Sequence, residues 1–213
     1  MFKKIIYSFA ILFLSFQSLS AQSNVQAEKI ITGLLADAKI NAIKTNFKLV
    51  MTENSNSPTL FSTGTFTIKG SRFVLEMEEM KVWFDGKTQW AYVQKNNEVS
   101  ITEPSEKELS ETNPMAILSG FKAKSSIRFS TFVKSGQNYC IEMIPKFKNQ
   151  DITKIEVQIN KNSGNLFSIK LINKNGNSSI LTLSNFQKDL KVSDNNFIFN
   201  AEKYKGVTIN DLR

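Results

Sequence analysis

Two hydrophobic periods divide the chain. From Ser23 to Thr45, Ala27, Ile30, Ile31, Leu34, Leu35 and Ala38 recur at spacings of three and four, with Glu28, Lys29, Asp37 and Lys39 between them. That spacing predicts one amphipathic helix with a single buried stripe. After Thr45 the period falls to two. Phe47, Leu49 and Met51 alternate with Lys48, Val50 and Thr52; Phe66 and Ile68 alternate with threonines; Phe73, Leu75 and Met77 alternate with Val74, Glu76 and Glu78. Further strand-like runs cover Lys81–Asp85, Thr88–Gln94, Glu98–Thr102, Ser126–Lys134, Asn138–Ile144, Thr153–Asn160, Leu166–Asn173 and Ser178–Phe186, with a last short one opening at Phe197. Asp85-Gly86, Asn96-Asn97, Asn162-Ser163-Gly164 and Asn175-Gly176 separate them and tolerate the positive φ of hairpin turns. About eleven strands in hairpin order make a large antiparallel sheet. Left open and flat, it would expose long edges and a bare apolar face, so it must curl and be covered.

The cover is written between the two strand blocks. Ser105-Glu106-Lys107-Glu108 has the form of a capping box. Asn113-Pro114 reads as an N-cap with proline in the first helical position, and Met115, Ile117, Leu118 and Phe121 supply an apolar face before Gly120 helps to end the helix. The expectation is a mainly β (α+β) domain over residues 22–213: a curved antiparallel half-barrel closed by an N-terminal helix and a helical insert.

The first residues belong to a different kind of segment. Lys3 and Lys4, an apolar run from Ile5 to Phe16, and small residues through Ala21 follow the layout of a secretory signal peptide, here residues 1–21. The run is too short for a permanent membrane anchor, which needs about 20 apolar residues. An exported, soluble protein is expected. Cys140 is the single cysteine and is remote from the cleavage point. It can neither carry a lipid there nor form an internal disulfide, and its apolar run suggests a small buried hydrophobe.

Charge and chemistry narrow the function. The formal +8 becomes +6 without Lys3 and Lys4, and 24 of the 27 basic residues are lysines scattered among acids. Nucleic-acid recognition usually enlists arginine forks or basic stripes, so no nucleic-acid partner is expected. Histidine is absent, which removes the commonest general base, the commonest zinc ligand and any Ser-His-Asp triad. No phosphate-cradling or nucleophile-elbow motif occurs, and no cofactor or metal is expected. A carboxylate pair, Glu76 and Glu78, keeps a hydrolase conceivable, but the two sit opposite Phe73, Leu75 and Met77 and read as a solvated face.

The order of these features resembles the outer-membrane lipoprotein carrier family, LolA. The resemblance runs through the secretory start, the single helix, "GTFTIKGSRFVLEME", "FDGKTQWAY", "ETNPMAIL" and the Asn/Gly hairpins. Its most specific piece is Asp85-Gly86-Lys87-x-x-Trp90-x-Tyr92. It implies an eleven-strand half-barrel whose cavity takes the acyl chains of lipoproteins released by an inner-membrane ABC transporter. A monomer then carries them to an outer-membrane acceptor that the sequence does not name. A signalling module of the same fold that senses lipidated proteins is the alternative. One departure concerns closure. Where the family often has a basic-proline pair, with an arginine holding the lid, this chain has Lys69-Gly70-Ser71-Arg72; Arg72 is the candidate stand-in.

The candidate cavity lining follows from the alternation. Phe47, Leu49, Phe66, Ile68, Phe73, Leu75 and Met77 come from the strands, and Ile117 and Leu118 from the insert. Trp90 and Tyr92 are two apart and share a face, which is expected to be the concave one. Methionine suits such a lining because it repacks easily.

Overall fold

The computed structural model describes residues 24–53, 57–105, 108–109, 113–131, 136–147, 151–188 and 190–213. The expected signal peptide, with Glu106 and Lys107 of the expected capping box, lies outside the described residues. Helix α1 covers residues 24–40, and Ala27, Ile31, Leu34 and Ala38 form its buried stripe, with Ile30 and Leu35 half-buried beside it. It ends five residues before the expected Thr45. Asn41 bonds back to Asp37 through both its backbone N–H (3.0 Å) and its side chain (2.6 Å). The Ala38 carbonyl accepts from Gly70 at 3.1 Å, in the turn after the second strand, which satisfies one of the helix's orphan acceptors. From Ile43 the buried positions run Ile43, Thr45, Phe47, a period of two.

Twelve strands follow: β1 (Ile43–Thr52), β2 (Thr59–Lys69), β3 (Arg72–Met77), β4 (Met80–Phe84), β5 (Gln89–Val93), β6 (Glu98–Thr102), β7 (Ser125–Phe129), β8 (Asn138–Pro145), β9 (Ile152–Asn160), β10 (Leu166–Asn173), β11 (Ser178–Gln187) and β12 (Thr208–Asp211). They form one curved, open sheet in the order β12-β6-β5-β4-β3-β2-β1-β11-β10-β9-β8-β7. Helix α2 (Pro114–Lys122) links β6 to β7. The Asn113 side chain caps it, accepting from the backbone N–H groups of Met115 (2.9 Å) and Ala116 (3.4 Å), with Pro114 in the first turn. Gly120 lies inside this helix rather than at its end. Ser105 and Glu108 make the reciprocal bonds of the expected box: the Glu108 carboxylate accepts from the Ser105 N–H at 2.8 Å, and Ser105 Oγ accepts from the Glu108 N–H at 3.4 Å.

The register sorts the side chains. Phe47 lies opposite Leu183, Phe66 opposite Leu75, Ile68 opposite Phe73, and Ile169 opposite Val157, which faces Ile141. Directly opposed residues share a face, so these make the inner layer, and both helices pack on it. Gly64 is required here. A Cβ would collide with the Glu76 carbonyl oxygen and press on the Phe47 ring at 2.8 Å, so only glycine lets β2 and β3 pass beneath that ring.

The expected strand at Phe197 does not form. Asp194–Phe197 is a short 3-10 turn within an arm that leaves β11, crosses the outer face of the sheet and ends as β12, parallel to β6. Phe197 and Phe199 are two apart because both pack against that outer face, not because they pair in a ladder.

Candidate functional site

The main apolar hollow lies between the inner face of the sheet and α2 and has a volume of about 310 Å³, at the small end of ligand cavities. Strand β1 contributes Phe47, Leu49 and Met51; β2 contributes Phe61, Ser62 and Phe66; β3 and β4 contribute Leu75, Met77 and Met80. Ile169 and Leu171 of β10, with Ser179, Leu181 and Leu183 of β11, form the opposite wall, and Pro114 and Ile117 roof it. Among the described residues, the only polar side chains in this lining are two serines. Met51 and Phe61, 36% and 65% exposed, mark its mouth. A β-bulge explains Phe61: Leu49 pairs with Ser62 but Val50 pairs with Leu60, which leaves Phe61 as the extra residue. A bulge re-aims one side chain, and here it turns a phenylalanine to the rim.

Six of the expected lining residues surround this hollow: Phe47, Leu49, Phe66, Leu75, Met77 and Ile117. Ile68, Phe73 and Leu118 are also inner-face residues but are buried in the core. Phe73 is sandwiched between Phe66 and Phe84, with ring centroids at 5.6 and 5.3 Å. The alternation missed Leu171, Leu181 and Leu183, because only the β1–β11 pairing brings the second strand block beside the first.

Trp90 and Tyr92 are a correction. Register sets Trp90 opposite Trp83, and Trp83 opposite Val74, which is on the face away from Phe73. Both residues therefore belong to a second, outer cluster with Val74, Trp83, Phe197, Phe199 and Tyr204. Trp83 meets Phe199 at 5.3 Å and Tyr204 at 5.8 Å, and Tyr92 meets Tyr204 at 4.5 Å. Burial raises the Tyr204 phenol above its ordinary pKa. The turn that carries these rings is fixed by Asp85, whose carboxylate accepts from the N–H groups of Lys87 (2.9 Å) and Thr88 (2.8 Å), while Gly86 adopts φ +106°.

Arg72, the lid candidate, has its described partners outside the two helices. It donates to the Asp85 carbonyl at 3.1 Å and pairs with Asp194 at the start of the arm's turn. Lys69 adds a bond to the Val192 carbonyl at 3.2 Å. These cations fasten the C-terminal arm, where the sequence had suggested a clasp on the helical cover.

Glu76 is not poised as a general acid. Burial alone would raise the Glu76 pKa, but hydrogen bonds from Lys81 and Thr65 and the charges of Lys81 and Lys44 outweigh it and hold the carboxyl below its ordinary value. A general acid needs the opposite shift. Cys140 is buried, and its thiol is pushed up by that burial. Among the described residues no cluster of His, Cys, Asp or Glu could hold a metal ion, and no helix is long and apolar enough to cross a membrane.

A large, open, curved sheet with a greasy hollow beneath its helices is the build of a ligand-holding half-barrel. Residues 19–176 match the family model for the outer membrane lipoprotein carrier protein LolA, and the chain belongs to that family. It is 27% identical over 180 residues to an outer-membrane lipoprotein carrier protein of Shewanella loihica, covering 83% of this chain and 82% of that one. In fold it resembles an uncharacterized conserved protein of Thermus thermophilus, with TM-score 0.57, 10% identity, and 87% and 99% of the two chains covered. A LolA superfamily protein from Nitrosomonas europaea aligns over 81% of this chain and 97% of its own at 10% identity, with TM-score 0.43. Strand β11 and the C-terminal arm lie beyond the residues matched to the family model.

Proposed function

We propose that this protein is a periplasmic carrier that shelters the acyl chains of lipoproteins in the main hollow and ferries them from the inner membrane to the outer membrane. The observation that carries the reading is the hollow itself: apolar on every wall, open at one end, and left unfilled by the protein's own side chains. Family membership supports lipoprotein as the cargo. An inner-membrane ABC transporter is the expected donor, a monomer the expected working form, and the outer-membrane acceptor is left open.

The energetics suit the task. Each methylene held in water costs about 0.8 kcal/mol, so a sixteen-carbon chain costs on the order of 10 kcal/mol. Such a chain needs a host, but the host must also let go without ATP. A core packed to crystal density would not yield, whereas Met51, Met77 and Met80 give three of the walls side chains that repack at small cost. The chain has no histidine and the Glu76 carboxyl is held below its ordinary value, so neither argues for catalysis on the cargo.

Purified protein mixed with an N-palmitoyl peptide should take it up, and mass spectrometry of protein isolated from cell envelopes should find acylated species. A folded protein that binds no acylated molecule would end this reading. A stable complex with a membrane-bound regulator in place of cargo would favour the sensing role instead.

A further inference from the structure

A second hollow, of about 260 Å³, lies beyond the roof. Leu35 and Ala38 of α1, Phe84, Leu109, and Met115 and Ala116 of α2 give it a mainly apolar lining, which Lys39, Ser71, Asn113 and Ser119 complete. Between it and the main hollow is a narrow space of about 20 Å³, room for a water molecule at most. That neck shares Phe66, Pro114 and Leu183 with the main hollow, and Ala38 and Met115 with the far one. The three spaces therefore adjoin one another through shared lining residues, and the middle one, which Asp37, Thr45 and Asn165 also line, is nearly shut.

Of the five residues that stand at the neck's two junctions, one is free to move. Pro114 is a rigid ring and Ala38 has no rotamer to change. Phe66 is buried and stacked on Phe73, and Leu183 is buried in the same core. Met115 is only half-buried, and its unbranched side chain has three rotatable bonds. Its backbone is pinned by the 2.9 Å bond to Asn113, so the side chain can swing without moving the helix. We infer that the far hollow is a distal acyl subsite, reached past Met115 by chains too long for the main hollow, and that Met115 sets the chain length the protein favours. This rests on the carrier reading above. Its occupant is the terminal part of the same saturated chain, because the neck leads on from the main hollow and most of the far hollow's surface is apolar despite Lys39, Ser71, Asn113 and Ser119.

The test is a series of N-acyl dipeptides from octanoyl to stearoyl, titrated against the wild type, Met115→Trp, Ala116→Trp and Met115→Ala, with thermal melts to establish folding. Each methylene that finds an apolar site should add about fourfold in affinity. The wild type should keep gaining to the longest chains. Met115→Trp, which plugs the neck, and Ala116→Trp, which fills the far hollow, should bind octanoyl normally and lose more than about tenfold on stearoyl, some two methylenes' worth. Met115→Ala should favour stearoyl further. An independent reading uses the wild type alone: a stearoyl dipeptide with a terminal diazirine should label Leu35, Phe84 or Leu109. Variants that weaken every length by one factor, or labelling confined to residues of the main hollow such as Leu171 and Leu181, would overturn the distal subsite while leaving the carrier reading intact. A wild type that binds no chain at all would remove both.

Discussion

The two faces of one sheet carry the same kind of residue and put it to opposite use. On the inner face, Phe47, Leu49, Met77, Leu171 and Leu181 surround a space that none of them fills. On the outer face, Trp83, Phe199 and Tyr204 close on one another with centroids 5.0 to 5.8 Å apart, and Phe197 beneath them is 0% exposed. Apolar content alone thus does not distinguish a binding site from a core. Geometry decides: long, flexible chains under a helical roof leave room, while flat rings pinned by an arm do not. The arm supplies its own clamps in Asp194 and in the Tyr92–Asn97–Lys205 chain of hydrogen bonds, at 3.1 and 3.2 Å.

The sharpest break of that comparison is Phe197→Ala. Phe197 is fully enclosed, so its loss should cost about 3–5 kcal/mol of stability, read by urea unfolding, while uptake of an N-palmitoyl peptide per folded molecule stays unchanged. Parallel loss of uptake would mean that the two faces act as one unit. The converse variant is Leu181→Trp. It places a large ring in space already empty, so the melting temperature should move little. Uptake should fall more than about tenfold, since excluding even two methylenes forfeits about 0.8 kcal/mol each. A strongly destabilised Leu181→Trp with normal uptake would show the hollow to be ordinary packing volume.

The sequence made the sheet and its cover legible because alternation and turn chemistry are local signals. Leu166–Asn173 was read to the residue, and Asn113-Pro114 announced α2 for a reason that the cap bonds bear out. The faces were harder. Phe73, Leu75 and Met77 were separated correctly from Glu76, but carrying that assignment across two hairpins to Trp90 requires the register of β3–β4 and β4–β5, which pattern alone does not give. Strand β12 was silent because all four of its residues are exposed, so it has no alternation to read. Phe61 was missed because a bulge breaks the period that would have assigned it.

Arg72→Leu sharpens the outer half of the comparison. It removes a part-exposed ion pair and one bond to a carbonyl, worth about 1 kcal/mol after solvent screening. Hydrogen exchange should speed up at amides between Val192 and Tyr204 and stay unchanged in α2. Faster exchange in α2 instead would return Arg72 to the helical cover.

The smallest effect concerns Glu76, which joins the outer face of β3 to Lys81 and Thr65. Its folded-state pKa lies below the ordinary 4.5. A carboxyl with a depressed folded-state value contributes stability that is fully present above the unfolded-state value and is lost as pH falls through the folded one. Its side chain is 38% exposed, so screening leaves the contribution at about 0.5 kcal/mol. Unfolding free energies of the wild type and Glu76→Gln, from urea titrations, should therefore differ by that small amount at neutral pH and converge in acid, as the pH falls through the lowered folded-state value. A gap that widens in acid would mean that Glu76 is held protonated, the state a catalytic acid requires and the ion pair with Lys81 forbids.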